Sequence, residues 1–308
     1  MQPLNFYFNH PGVFFSAVVS NLGFWLPDKL YLRLLFRAAL GYWPDLKNPK
    51  TYNEKLQWQK LYDHNPSYTT MVDKITAKEY VSNIIGDKYI IPTLGVWNSF
   101  DEIDFDQLPN KFVLKTNSGG GGNGVVICKN KASFNKDKAR MLLMKSMKES
   151  VYRTHREWPY KNIKPKIFAE SFLEEKGSSN SDLRDYKFFC FGGKVQALFV
   201  ASDRNNPNVT TKFDYMDANY NRLNLWQSHP MSDHLPQKPS CFEDMKNVAE
   251  KLSAGIPQVR VDLYEVNGAI YFGEMTFFHY SGLTPFLPKE ENWDYKWGQW
   301  IELPEKQK

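Results

Sequence analysis

The stretch that most limits what this chain can fold into is Lys111–Cys128, KFVLKTNSGGGGNGVVIC. An apolar run ends in Lys115. A polar loop then carries Ser118, Gly119, Gly120, Gly121, Gly122 and Gly124, and Val125–Ile127 leads out. Two β-prone arms around a glycine tip read as a hairpin. Lacking Cβ atoms, such a loop lets backbone N–H groups approach an anion, and Lys115 adds a full charge beside them. That pairing suits phosphate oxygens. It is not a P-loop, because no Gly-Lys-Ser/Thr opens a helix here. It is not a dinucleotide fingerprint, because a strand follows the glycines. Taken alone, the same residues also fit a surface hairpin with no ligand.

A second hairpin carries acids. Val259-Arg260-Val261-Asp262-Leu263 alternates apolar and charged residues, Asn267–Gly268 turns the chain, and Ile270–Glu274 returns. A two-residue turn would pair Val266 with Ala269 and put Asp262 and Glu274 on opposite faces. A three-residue turn with Gly268 as a left-handed bulge residue pairs Glu265 with Ala269. Arg260 then faces Glu274, Asp262 faces Phe272, and all the charged groups share one face. The three-residue turn is the expectation. Two carboxylates beside one arginine call for a counter-ion, and Mg²⁺ is often held by one or two carboxylates plus substrate phosphates. An Arg–Glu cross-strand pair facing solvent is the simpler alternative.

The rest of the chain sets the context. Its 308 residues predict one large domain or two to three small lobes. Cys128, Cys190 and Cys241 are far apart and make neither a disulfide framework nor a zinc spacing, which suits a reducing cytosol. No basic residue precedes Lys29, so a secretory signal with a basic start is not expected. The apolar stretch Val13–Leu26 holds Ser16, Ser20 and Asn21 and is too short to span a bilayer. Net charge is +5, yet Lys131–Lys166 alone holds eleven Lys and Arg against three acids. That patch could attract an acidic ligand or serve as a solvated helix face.

Helices are expected over much of 11–62, from Asp73–Lys74 to Ile85, over Phe134–Arg153 and over Phe242–Ala254. Strands are expected at Tyr89–Trp97, Lys166–Phe172, Asp185–Cys190, Lys194–Ala201, Thr210–Asp214 and in the acidic hairpin. Within the first region, Lys29, Arg33 and Arg37 recur every four residues on one stripe. Such a helix either docks on a neighbour or lies on an anionic membrane. Strands outweigh βαβ units after residue 110, predicting a mainly antiparallel α+β body.

In order, Asp73–Lys74, Lys115 with its glycine hairpin, Glu170 on a strand, Asp185, Lys212, Arg260/Asp262 and Glu274/Thr276 resemble the ATP-grasp superfamily. The resemblance runs from about residue 70 to 285. The N-terminal run from Pro27 to Asp63, with REWPYKNIKPKIFAES and DYKFFCFGGK, resembles more closely the TupA-like branch named for teichuronopeptide synthesis. The resemblance implies an α+β ATP-grasp fold, with antiparallel sheets of two lobes gripping ATP after an N-terminal helical segment. Expected divisions are 1–65 for the helical segment, 66–110 for a connecting region, 111–172 for the small lobe and 173–308 for the large lobe.

By the same resemblance, Lys74 and Lys115 hold ATP phosphates and the Ser118–Gly124 loop closes over them. Glu170, with the backbone of Ser171, Phe172 and Leu173, takes the adenine edge. Asp185 accepts from the ribose hydroxyls, and Lys212 reaches the γ-phosphate. Asp262, Glu274 and Thr276 ligate Mg²⁺, with threonine standing where most relatives have asparagine. Arg260 steadies the transferred phosphoryl group. The implied activity is ATP-dependent ligation of a carboxylate to an amine through an acyl phosphate. The implied partners are an acidic sugar or surface-glycan precursor and an amine donor, with no nucleic acid. A cytoplasmic location is expected, and the basic helix leaves peripheral membrane contact as one of its two readings. The alternatives are a glycan kinase on the same fold, or a glycosyltransferase of polysaccharide synthesis.

Overall fold

The apolar–polar alternation of the strand segments becomes two antiparallel sheets in the computed structural model, which describes residues 19, 23–119, 124–175, 183–202 and 209–306. Among residues 23–119 the α-helices are α1 (Asp28–Leu40), α2 (Tyr52–Tyr62), α3 (Ser67–Val72) and α4 (Thr76–Ile85). Thr51 and Glu54 form a reciprocal capping box at the start of α2, a device worth about 1 kcal/mol. Strands β1 (Thr93–Trp97), β2 (Phe112–Thr116) and β3 (Val125–Cys128) follow. Then come α5 (Lys136–Lys148), α6 (Val151–His155) and β4 (Ile167–Ser171). Strands β5 (Asp185–Phe191), β6 (Lys194–Ser202) and β7 (Lys212–Asp217) lead to α7 (Phe242–Leu252). The chain closes with β8 (Gln258–Val266), β9 (Ala269–Thr276) and α8 (Trp293–Gln299).

The smaller sheet has the order β1-β4-β2-β3 and the larger β7-β6-β5-β8-β9. Every pairing is antiparallel. The smaller sheet takes an edge strand from residues 93–97, within the stretch expected as a connector. The strand expected over Tyr89–Trp97 begins only at Thr93, and Tyr89 instead ends a 3₁₀ turn over 87–89. The expected helix over 134–153 breaks at Glu149, and Ser150 caps α6 by accepting from the Arg153 N–H.

Each sheet buries one face on a helix. On β2, Phe112, Leu114 and Thr116 point inward, where Phe112 and Leu114 join Leu143 of α5 in one apolar cluster. On α7, Phe242, Met245, Val248, Ala249 and Leu252 recur at helical spacing and are buried, with the Phe242 ring against Phe188 of β5. The opposite face of the larger sheet is divided. Phe189 packs on Trp297 of α8 with ring centroids 4.7 Å apart, while the neighbouring Arg260, Asp262 and Lys187 are buried and charged.

Candidate active site

The acidic hairpin reaches the expected arrangement by an unexpected route. Its turn is the two-residue Asn267–Gly268, with Val266 opposite Ala269 and both turn residues at positive φ (53° and 80°). This corrects the expected three-residue turn and its Arg260–Glu274 and Asp262–Phe272 pairings. The Asn-Gly dipeptide is a strong two-residue hairpin signal, because both residues tolerate the left-handed conformation. A bulge then does what the longer turn was expected to do. Leu263 pairs with Phe272, but Asp262 pairs with Glu274, leaving Gly273 as the extra residue. Asp262, Glu274, Arg260 and Thr276 therefore share one face. A Cβ on Gly273 would stand 3.0 Å from the Tyr264 ring and 3.1 Å from the Asp262 carbonyl oxygen, so the bulge is tight.

Arg260 binds both acids. Its Nε donates to Asp262 Oδ1 at 2.6 Å and its Nη2 to Asp262 Oδ2 at 2.8 Å. Nη2 also reaches Glu274 Oε1 at 3.2 Å and Thr276 Oγ1 at 3.0 Å. Nη1 lies 2.8 Å from His279 Nδ1. A guanidinium only donates, so His279 Nδ1 accepts, and the ring proton sits on Nε2, which donates to Gln227 Oε1 at 3.0 Å. Burial, then Arg260 and Lys187, hold His279 well below the usual imidazole range, which keeps it neutral. Tyr215 donates to the same Gln227 oxygen at 2.9 Å. Burial works against the charge on Arg260, but Asp262 and Glu274 overcome it and raise its pKa.

Lys187 adds the next cation. It lies two residues after Asp185 on β5, hence on the same face, 2.6 Å from Asp185 Oδ2 and in an ion pair with Asp262. Burial pushes the Asp262 pKa up, opposed by Arg260 and Lys187. Burial would also raise Glu274, but Lys74, Lys187 and Arg260 overcome it and leave Glu274 strongly acidic.

The smaller sheet contributes Lys115, and the α4 region beside it contributes Lys74 and Lys78. Glu170 is buried on β4 and ion-paired with Lys115 and with Lys78, the latter at 2.7 Å. Burial would raise its pKa, yet the two ammonium groups hold it below the usual carboxylate range. Lys74 is anchored by its backbone N–H to the Asn117 carbonyl (3.2 Å) at the end of β2, while Asn117 Nδ2 bonds Asp73. The Lys74 ammonium donates to the Gly119 carbonyl at 2.8 Å and pairs with Glu274 at 3.1 Å. One lysine thus ties the glycine hairpin to the acidic hairpin across the gap between the sheets.

That gap is a cavity of about 410 Å³. Lys74, Lys115, Gly119, Glu170, Phe172, Leu173, Asp185, Asp262 and Glu274, all expected site residues, line it together. Ile91, Val113, Val125 and Ile127 supply an apolar wall. Such a wall suits a flat aromatic ring, and the lysines suit a chain of phosphates. The buried Ser118 hydroxyl meets no hydrogen-bond partner among the described residues. Arg260 and Thr276 stand behind the acids rather than at the cavity wall. Lys212 does not line the cavity. It pairs with Ser202, one register step from Phe213 and Ala201, which puts it on the other face of β7 from Tyr215. Gly120, Gly121 and Gly122 lie outside the described residues. Gly124 has a local reason to be glycine: φ is +78°, and a Cβ would come within 2.4 Å of the Thr116 and Ser146 hydroxyl oxygens.

Lys78, Lys187, His279 and Gln227 were not singled out from the sequence. The period-two spacing of Asp185 and Lys187 could have found the second; nothing local marks the others. Part of the basic segment, expected as an acidic-ligand patch or a solvated helix face, packs on a neighbour instead. Arg156 is buried against α1, its guanidinium 3.9 Å from the Tyr31 ring centroid and its Nε 2.8 Å from Asp28. Arg153 lies over Phe24 at 5.1 Å. The Tyr152–Tyr160 stretch therefore includes a helix end packed on a neighbour.

Mg²⁺ suits the donor set. Two carboxylates of adjacent strands, with the Thr276 hydroxyl beside them, are hard oxygen ligands that substrate phosphates can complete. Among the described residues no three His, Cys, Asp or Glu side chains group as a self-sufficient metal cage.

The chain resembles the D-alanine–D-alanine ligase of Bacillus anthracis complexed with ATP, at 14% identity over 76% of this chain and 68% of that one, with a TM-score of 0.39. The D-alanyl-alanine synthetase A of Vibrio cholerae follows at 12% identity, covering 75% and 59%, with a TM-score of 0.40. The ATP-grasp ligase PsnB complexed with minimal precursor, Mg and ADP gives 11% identity, 85% and 64% coverage, and a TM-score of 0.37. This chain spans less than two thirds of the latter two. No curated protein matches the sequence. The family described as TupA-like ATP-grasp matches residues 54–301. With that match over most of its length and two antiparallel sheets enclosing a lysine- and carboxylate-lined cavity, the chain belongs to the TupA-like ATP-grasp family.

Proposed function

We propose that the protein is a Mg·ATP-dependent carboxylate–amine ligase that attaches an amino acid or another amine to a uronic-acid-bearing surface glycan or its precursor. The observation that carries this reading is the shared cavity: Lys74, Lys115 and Lys187 meet Asp262 and Glu274 beside an apolar wall. In the proposed reaction an acceptor carboxylate oxygen attacks the γ-phosphorus of ATP, ADP leaves, and an acyl phosphate forms. The amine nitrogen then attacks the acyl carbon, phosphate leaves with the bonding pair, and the nitrogen loses a proton. No covalent bond to the protein is required.

This chain's part is placement and charge. The adenine would lie along the Val113, Val125 and Ile127 wall, its edge toward the backbone of 171–173, with Glu170 and Asp185 nearby. Lys74 and Lys115 would exchange carboxylate partners for phosphate oxygens. Asp262 and Glu274, with Thr276 near, would hold Mg²⁺, which when bound neutralises phosphate charge. Arg260 keeps the two acids side by side. The glycine hairpin and the opposing sheet would exclude water from the acyl phosphate. The helical, connecting, small-lobe and large-lobe divisions expected from sequence belong to the same reading, with β1 joined to the small lobe, and so does a cytoplasmic location where ATP is supplied.

Two measurements test it. Mg·ATP raises the melting temperature while UDP-sugars do not, because a ligand of the folded state stabilises it by mass action. With a uronic-acid oligosaccharide and an amine, the protein releases ADP and inorganic phosphate in equal amounts and forms an amide. Phosphate retained on the sugar would make it a kinase. Binding of UDP-sugars without ATP turnover would remove the ligase reading.

A further inference from the structure

The face around α1 plays no part in the cavity, and its chemistry points elsewhere. Lys29, Leu30, Arg33 and Arg37 are exposed and fall on one stripe of the helix. Phe24 and Trp25 stand just before the helix, 55% and 72% exposed, and Trp43 stands just after it, 52% exposed. The Arg33 guanidinium lies 5.4 Å from the Trp43 ring centroid, so the end of the stripe and the aromatic after it are contiguous. Acids are kept out of the way. Asp28 pairs with Arg156 and accepts from the Tyr152 hydroxyl, and Asp45 caps the Lys47 and Asn48 N–H groups.

We propose that this face docks on an anionic phospholipid surface, with Phe24, Trp25, Leu30 and Trp43 entering the headgroup–acyl boundary and Lys29, Arg33 and Arg37 meeting lipid phosphates. Interfacial aromatics beside basic side chains are the composition that such a boundary selects. Charge complementarity decides the occupant. Residues 24–50 carry five Lys/Arg against two acids, a net +3, so a second copy would bring like charge against like. A soluble acidic glycan would satisfy the arginines but leave Phe24 and Leu30 in water. Among the described residues no helix is long and apolar enough to cross a membrane, and the contact proposed for this face is a peripheral one.

The test is co-sedimentation of the full chain with vesicles of phosphatidylcholine alone or mixed with phosphatidylglycerol. Binding is expected only to the anionic vesicles, weakening as salt is added. Arg33→Glu with Arg37→Glu is expected to weaken it by about tenfold or more. Trp25→Ser with Trp43→Ser is expected to abolish the blue shift of tryptophan fluorescence on vesicle addition. All four side chains are exposed, so the variants should keep the melting temperature. The wild-type lipid and salt dependence needs no variant. No binding, equal binding to neutral vesicles, salt-insensitive binding, or variants that bind as wild type would each overturn the proposal. So would a wild-type dimer that the variants lose. None of these readouts depends on ATP turnover, so failure here leaves the ligase reading intact.

Discussion

The two sheets hold their charges differently. On the smaller sheet, Lys115 and Glu170 project from a strand face into the cavity, and their partners are each other and Lys78. On the larger sheet, Arg260 lies behind its carboxylates and is tied further back to His279, Gln227 and Tyr215. A lysine at a cavity wall can trade its carboxylate for a phosphate at little cost. A buried guanidinium cannot let go without leaving an orphaned charge. The smaller sheet is thus suited to receive a ligand, and the larger to keep two acids fixed.

Breaking the fixed side should cost most. Glu274→Gln is expected to lower ATP-dependent product formation by about a hundredfold or more while the fold persists; unchanged ADP and phosphate release would remove Glu274 from the site. Next comes the support behind Arg260. His279→Leu removes the Nη1 acceptor and is expected to lower kcat by about ten- to a hundredfold, with His279→Gln restoring much of it. Equal losses in both variants would assign His279 a packing role alone. The receiving side should respond in binding. Lys115→Met is expected to weaken Mg·ATP by about tenfold or more in calorimetry, with a smaller effect on the melting temperature than His279→Leu.

Smaller effects sharpen the contrast. Gly273→Val crowds the bulge that aligns Asp262 with Glu274, and a loss of about 1–3 kcal/mol is expected in denaturant unfolding. The smallest effect is in pH. His279 is held neutral in the folded chain but takes up a proton near pH 6.5 when unfolded. The unfolded state then binds more protons, so the stability this histidine confers is complete above about pH 6.5 and is lost as pH falls through that window. The melting-temperature advantage of the wild type over His279→Gln should therefore be smaller at about pH 5 than at about pH 7.5, by about 2 °C or more. An advantage that grows on acidification would refute the neutral assignment.

The resemblance to the ATP-grasp superfamily named most of the cavity residues, and the period-two alternation of strands showed which neighbours share a face. Lys115 stands one step from buried Leu114, and Asp262 alternates with Val261 and Leu263, so each strand declares which side chains share a face. The Lys212 expectation rested on order along the chain alone, and register turned that side chain to the far face. The hairpin shows the limit in another way. A three-residue turn was expected so that the acids could share a face; the turn is the two-residue one that Asn-Gly favours, and only the pairing around Gly273 revealed the bulge that reconciles it with a shared face.

By itself, the sequence determined which strands carry charge, where the chain turns, and which residues could face one another, because these follow from local backbone geometry and side-chain alternation. The tertiary structure alone decided who meets whom: Lys78 with Glu170, Lys187 with Asp262, His279 with Arg260, and Lys74 across the gap to Glu274. Such contacts join residues up to 200 positions apart in the chain. They are fixed when two sheets pack and their buried charges must find partners, a condition that no local pattern records.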